Sequence, residues 1–356
     1  MSVSSTLFGN ITEVQHSASS AAQVPEHESD PLLSKVELKF HTVFYPLGFA
    51  VEIATNDLAV VGAASESWGG MSERYRVTPL RLNVIVTDDG DSDCPPAPVV
   101  RAQGHLVSMV ADARNQVICD MTAGFGFICI GQAALRHSSY LRYYFLEAAV
   151  YNLIGALHAT PLHAACVSRN GHGLLICGDS GAGKSTLAYA CARAGWTYTS
   201  DDSTNLLRGT LPHVIGNSRK VRFRPSAREL FPELIDRDLT PRAEGKPSIE
   251  VSSAELPGLI TSDEATIRSI VILNRQPSDA AVLRPLPRAS AFRYFDETLY
   301  PDLEIHARQM ATLDVLATAD VYELRYADLG SAIDCLERLT EPVDSSNSPG
   351  REGRRK

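Results

Sequence analysis

Hydrophobic and polar positions alternate with a period of two through several stretches of the first third of the chain. Val36, Leu38 and Phe40 follow this spacing, as do Phe49, Val51 and Ile53, and residues 58–61 form a short apolar run after the Asn56-Asp57 turn signal. Successive side chains of a strand point to opposite faces, so the spacing predicts strands in all three places. The same reading extends to residues 81–86, 105–110, 116–121 and 125–130, with 94–98 as a proline-rich linker and Arg114-Asn115 at a turn. The period then changes. Leu141, Tyr144, Phe145, Ala148, Ala149, Asn152, Leu153, Ala156 and Leu157 lie near one face of a helix capped by Ser138 or Ser139 and running to about His158. Its aromatic residues read as core packing rather than a base-stacking platform.

These periods divide the chain. Residues 1–34 are polar and aperiodic and read as a disordered arm. Residues 35–135 form a strand-rich, antiparallel N-terminal lobe, 136–340 a second α/β (α+β) domain, and 341–356 a polar, basic, disordered tail. Within the second domain a strand is expected at 163–167. Asn170-Gly171 should turn it directly back into the apolar run 173–177, because this dipeptide supplies the two positive φ angles of a tight hairpin. Further strands fit 196–200, 205–207 paired with 211–215, 267–273 paired with 281–286, and 321–324. Helices fit 289–300, 304–318 and 330–339, and the polar segment 236–265 reads as a mobile loop.

The run 173–177 leads into Gly178-Asp179-Ser180-Gly181-Ala182-Gly183-Lys184-Ser185-Thr186, which fits the phosphate-loop pattern G-x-x-x-x-G-K-[ST]. Glycines let consecutive backbone N–H groups turn onto a phosphate, and the following helix adds its positive N-terminal end. Leu187, Ala188, Ala190, Cys191 and Ala194 fill that helix, which should stop at Gly195. Strand, loop and helix come in the order the pattern needs. Lys184 then reaches the β- and γ-phosphates of a nucleotide and Ser185 offers a hydroxyl to Mg²⁺.

Asp201-Asp202 follows at the end of the next strand, and His163 precedes the loop on the neighbouring one. An Asp pair is more often a turn or a cap. Beside a phosphate loop it supplies the two carboxylates phosphoryl transfer uses, one for the metal and one near the attacking oxygen. The segment 219–228 is basic; it is read as a solvated strand and turn, unless Arg222 or Arg224 faces the phosphates or an acidic acceptor.

His163-Ala164-Ala165, the loop 178–185, Gly195 and Asp201-Asp202 together resemble the catalytic core of HPr kinase/phosphorylase, the bacterial enzyme that phosphorylates a seryl hydroxyl of the phosphocarrier HPr. The resemblance covers about residues 158–216 and implies a core shared with phosphoenolpyruvate carboxykinase, with a mixed sheet around the loop. It implies ATP and Mg²⁺ as cofactors, with Lys184 and residues 178–186 on the phosphates and Ser185 and Asp202 on the metal. By the same resemblance Asp201 is the general base and His163 stands near the transferred group. Thr186 replaces the acidic residue the family often has there, and the N-terminal lobe differs from the family's usual one. The chain therefore looks like a divergent member, a serine kinase acting on a protein or peptide. A nucleotide-gated switch without phosphotransfer and a small-molecule kinase are the alternatives, and a homo-oligomer is compatible with each.

Composition narrows the partners. The 356 residues carry a net charge of -9, which argues against a general nucleic-acid or anionic-membrane binder. Hydrophobic content of 44% and charged content of 21% are ordinary for a soluble globular chain. The seven cysteines form no C-x-x-C pair, so free buried thiols in a reducing, cytoplasmic setting are expected. No signal-peptide pattern and no long apolar run is present, so no membrane partner is expected.

Overall fold

Two mixed sheets organise the protein in a computed structural model that describes residues 35–88, 93–239, 247–276 and 280–341. The expected arm 1–34 and nearly all of the expected tail lie outside the described residues.

The first sheet contains β1 (Phe40–Phe44), β2 (Phe49–Thr55), β3 (Tyr75–Thr87), β4 (Val99–Gln103), β5 (Leu106–Val110), β6 (Gln116–Asp120) and β7 (Phe125–Gly131). Its order is β1-β2-β3-β7-β6-β5-β4. Sequence alternation predicts an antiparallel lobe, but β2 pairs β3 and β3 pairs β7 in parallel. The cause lies in residues 58–61, which are not a strand but the start of the helix Leu58–Trp68. Asp57 caps it by accepting the Ala59 N–H at 2.8 Å. Val60, Ala63, Ala64, Ser67 and Trp68 are its buried face, at helical i, i+3, i+4 spacing. That helix is the crossover a parallel β2–β3 pair requires, so one local reading changed the topology.

One face of this sheet packs on the helical segment 138–157, through Leu141, Phe145, Ala149, Leu153 and Ile154 among others. Neither Ser138 nor Ser139 caps it: the N-cap is His137, without a side-chain bond, and Ser138 donates to Glu66 instead. Residues Leu141–Glu147 are a π-helix, with the wider i→i+5 turn. The extra residue rotates Tyr144, Ala148 and Asn152 part-way out of the core and brings Arg142, Tyr143 and Glu147 into buried positions.

The second sheet has the order β16-β11-β9-β10-β17-β13-β12-β8, with β19 beside β17 and β18 beside β19. Its strands are β8 (Ala159–Leu162), β9 (Ala164–Arg169), β10 (His172–Cys177), β11 (Thr197–Ser200), β12 (Thr204–Leu207), β13 (His213–Gly216), β16 (Ile260–Thr261), β17 (Glu264–Arg275), β18 (Val282–Pro285) and β19 (Asp320–Tyr326). A separate ribbon pairs β14 (Lys220–Phe223) with β15 (Ile249–Ser252). Thus 236–265 is not one long loop: β15 and β16 lie inside it. Residues 240–246 lie outside the described residues.

The hairpin at Asn170-Gly171 forms as expected, with φ of 53° and 74°, and joins β9 and β10 antiparallel. On its other side β10 pairs β17 in parallel, so the sheet is mixed around the loop strand. β18 does not pair β17 as expected. β17 already has β10 and β19 as parallel neighbours, so β18 adds to the outer side of β19. Among the described residues no helix is long and apolar enough to cross a membrane. All seven cysteines are free, and only Cys94 is exposed.

Candidate functional site

Leu174, Leu175, Ile176 and Cys177 are fully buried, which anchors β10 before the chain turns at Gly178. The Ala182 N–H closes the turn onto the Asp179 carbonyl at 3.0 Å. Gly181 and Gly183 have φ of 92° and 102°, a region costly for any side chain. Gly183 is then the N-cap of the helix Lys184–Arg193, with no side chain capping it. The first N–H groups of that helix have no partner within it and carry its positive partial charge. The helix ends where expected, with Gly195 at φ 88°.

Lys184 is 5% exposed. Its ammonium donates to the Gly178 carbonyl at 2.8 Å and to His163 Nε2 at 2.9 Å. An ammonium has no lone pair, so Nε2 is the acceptor and the neutral ring carries its proton on Nδ1. That nitrogen faces Asp202 Oδ1 at 3.4 Å, and the same oxygen stands 3.5 Å from Lys184 Nζ. His163 is not in a strand: it is at the bend between β8 and β9, which pair with different neighbours. The Ser185 hydroxyl donates to the Asp201 carbonyl at 3.2 Å.

Around this cluster lies a cavity of about 340 Å³, lined by His163, Ser180, Gly181, Gly183, Lys184, Ser185, Thr186 and Asp202, and also by Arg222, Phe223, Arg224, Ser226, Ala227, Leu230 and Arg275. Its charged lining is Lys184, Arg222, Arg224 and Arg275 against the single carboxylate of Asp202. With the Arg222 guanidinium engaged by Glu147 and Glu250, the remaining three cations against one carboxylate still suit a polyanionic ligand, and the volume falls within the roughly 300–1,000 Å³ of small-molecule sites. Among the described residues no group of three or more His, Cys, Asp or Glu side chains is placed to hold a metal ion.

The two arginines of the basic segment part company. Arg224 reaches the glycine loop and donates to the Ser180 hydroxyl at 2.9 Å. Arg222 points its guanidinium instead into an acid network, donating to Glu250 at 2.8 Å and Glu147 at 3.1 Å. Lys220 and the Tyr143 hydroxyl also donate to Glu250, and Arg142 lies 3.3 Å from it. Burial would raise the Glu250 carboxyl, but Arg222 and Lys220 outweigh that and hold it well below the usual carboxylate range. The backbone N–H of Arg222 donates to Asp201 Oδ2 at 2.7 Å. Asp201 thus lines not the loop cavity but a second one, with Tyr143, Glu147, Lys220 and Arg222.

Sequence reasoning missed the tyrosine brace behind the loop. The Tyr294 hydroxyl accepts the Gly178 N–H at 3.0 Å and reaches the carbonyls of His163 and Gly178 at 2.9 and 2.8 Å. Burial pushes this phenol well above its ordinary value, so it stays protonated. Tyr326 reaches the Ala182 carbonyl from the other side at 3.4 Å. Nothing in the local sequence marks either tyrosine, because both arrive from elements far along the chain.

No protein-family model matches the chain, and no curated protein matches it. Among the solved structures it is similar to the Hpr(Ser) kinase/phosphatase from Coxiella burnetii, at 15% identity and a TM-score of 0.30, over 51% of this chain and 97% of that one.

Proposed function

We propose that the protein is an ATP- and Mg²⁺-dependent serine kinase of the HPr-kinase type, transferring the γ-phosphoryl group to a seryl hydroxyl of a protein or peptide. The observation that carries the reading is the buried Lys184 ammonium, held at the glycine loop with His163 at 2.9 Å and Asp202 at 3.5 Å. A lysine buried in a loop of N–H donors, with arginines in the same cavity wall, is suited to bind a polyphosphate.

In this reading residues 178–186 bind the phosphates, and Lys184 and Arg224 offset the charge on the β- and γ-oxygens. Ser185 and Asp202 would hold Mg²⁺, an ion that needs only one or two protein ligands when it binds together with phosphates. When bound, the ion stabilises charge that builds on the bridging and γ-oxygens. Asp201 accepts the seryl proton as the seryl oxygen bonds to the γ-phosphorus; the bond from that phosphorus to the β,γ-bridging oxygen breaks and ADP leaves. His163 fixes the Lys184 ammonium and keeps an N–H toward Asp202.

Transfer of label from γ-labelled ATP to serine-containing peptides or lysate fractions tests the proposal. The expected result is seryl phosphate with wild type. Asp201→Asn should keep Mg²⁺·ATP binding and lose transfer by roughly 10²–10⁴-fold, the usual size of a general-base contribution. Nucleotide binding with no labelled acceptor supports a switch, and label on a metabolite instead supports a small-molecule kinase.

A further inference from the structure

Among the described residues the ribbon of β14 and β15 pairs with neither sheet. Two strands alone are marginal in water, so side chains fix where this ribbon sits. Its position matters twice at the site. The Arg222 N–H donates to Asp201 Oδ2 at 2.7 Å, and two residues on Arg224 reaches Ser180 of the glycine loop at 2.9 Å.

Successive side chains of β14 point to opposite faces, and each face has its own anchor. Val221 and Phe223 are buried on one, where the Phe223 ring meets Tyr189 of the helix Lys184–Arg193 edge-on at 4.9 Å. On the other face Arg222 reaches beyond its own ribbon. Besides Glu250 on β15, it donates to Glu147 of the π-turn at 3.1 Å. Its guanidinium also lies 4.9 Å from the centre of the Tyr143 ring, a cation–π contact with the same turn.

Glu147 is 6% exposed and divides its two oxygens between two elements. Oε2 accepts from Arg222, and Oε1 accepts the hydroxyl of Ser67, in the last turn of the helix Leu58–Trp68, at 2.8 Å. The Ser67 oxygen in turn accepts from Arg142 Nε at 3.0 Å. Hydrogen bonds to a buried charge are strong and demanding in direction. Ser67, Glu147, Arg222 and Asp201 thus form an unbroken line from a helix on the first sheet to the Asp pair. Ser67 is in the wall of neither cavity, so it acts on a ligand only through this line.

We propose that Glu147 is a positioning residue: through Arg222 it sets the orientation of Asp201, and Ser67 holds Glu147 in place. The proposal rests on the kinase reading above, and it gives the lobe of the first sheet a part in the reaction.

The test reads the reaction and the ribbon separately in full-length Glu147→Gln and Ser67→Ala. With γ-labelled ATP and a serine peptide, kcat should fall by roughly tenfold or more in Glu147→Gln, because slight misplacement of a reacting group costs rate. The fall should be smaller in Ser67→Ala, and the KM for ATP should not change in either. In an Asp201→Asn background neither substitution should slow transfer further, since residues that act through one group are not additive. Equal fractional losses in both backgrounds, or a KM that rises in step, overturn the proposal, because both describe a general loosening. In parallel, NMR hydrogen exchange at the Arg222 amide should quicken by roughly tenfold in Glu147→Gln, as the strand that carries it loses a charge-assisted anchor. It should quicken in Ser67→Ala as well, and that variant decides alone if Glu147→Gln fails to fold. Unchanged exchange overturns the positioning role whether or not the wild type transfers phosphate. Quickened exchange in a wild type that transfers none leaves the line to Asp201 standing and removes the kinase reading.

Discussion

Asp201 and Asp202 are adjacent in the chain and face different cavities. Asp201 Oδ2 accepts the Arg222 N–H at 2.7 Å, whereas Asp202 Oδ1 stands 3.5 Å from the Lys184 ammonium. The pair directly follows β11 and lies in a bend of the chain rather than in the strand. One short bend therefore presents Asp201 to the second cavity and Asp202 to the cationic loop cavity.

Arg222 and Arg224 should respond differently to loss of charge. Arg222→Met leaves Glu147 and Glu250 buried with fewer partners, and breaking a buried pair in this way typically costs about 3–5 kcal/mol. Urea unfolding should show that loss. Arg224→Met removes an exposed contact to Ser180, so stability should stay within about 0.5 kcal/mol while the KM for ATP rises. Equal stability loss in both variants would contradict the division of roles.

The Glu250 network predicts an acid limb in stability. The folded-state value of this carboxyl is depressed, so its contribution is complete above the ordinary value of 4.5 and drains as pH falls below it. Urea midpoints measured downward from neutral pH should decline through that region. Glu250→Gln should be less stable at neutral pH and show a shallower decline. An unchanged slope would mean that other carboxylates carry the acid transition.

Thiol labelling checks the core. Burial pushes Cys119 and Cys166 up to about 12, and Cys177 and Cys191 higher still. Native protein should lose one thiol readily to an alkylating reagent, that of the exposed Cys94, and all seven after denaturation. Rapid loss of a second thiol would show local opening of a sheet.

Much of the loop's framework was legible because its signals are local. The Asn170-Gly171 turn, the apolar run into Gly178 and the stop at Gly195 each state a backbone conformation within a few residues. The helix Leu58–Trp68 was misread because Leu58, Ala59, Val60 and Val61 look like a strand until Ala63, Ala64, Ser67 and Trp68 extend the pattern. The π-turn at Leu141–Glu147 has no periodic signature, and it decides which way Tyr143 and Glu147 point. Arg222 and Glu250 meet only because β14 pairs β15, a partnership across residues that read as a loop. Tyr294 is likewise placed by tertiary packing alone. Charge runs in sequence show that cations are near one another, not which of them face a ligand.

Calorimetric titration of Mg²⁺·ATP into wild type and Lys184→Ala tests whether the glycine loop and Lys184 hold a nucleotide. Wild type should bind with one site, and the variant should bind at least about a hundredfold more weakly, since a charge-assisted contact in a buried site is lost. Equal affinity in the two proteins, or no binding by wild type, would contradict the account.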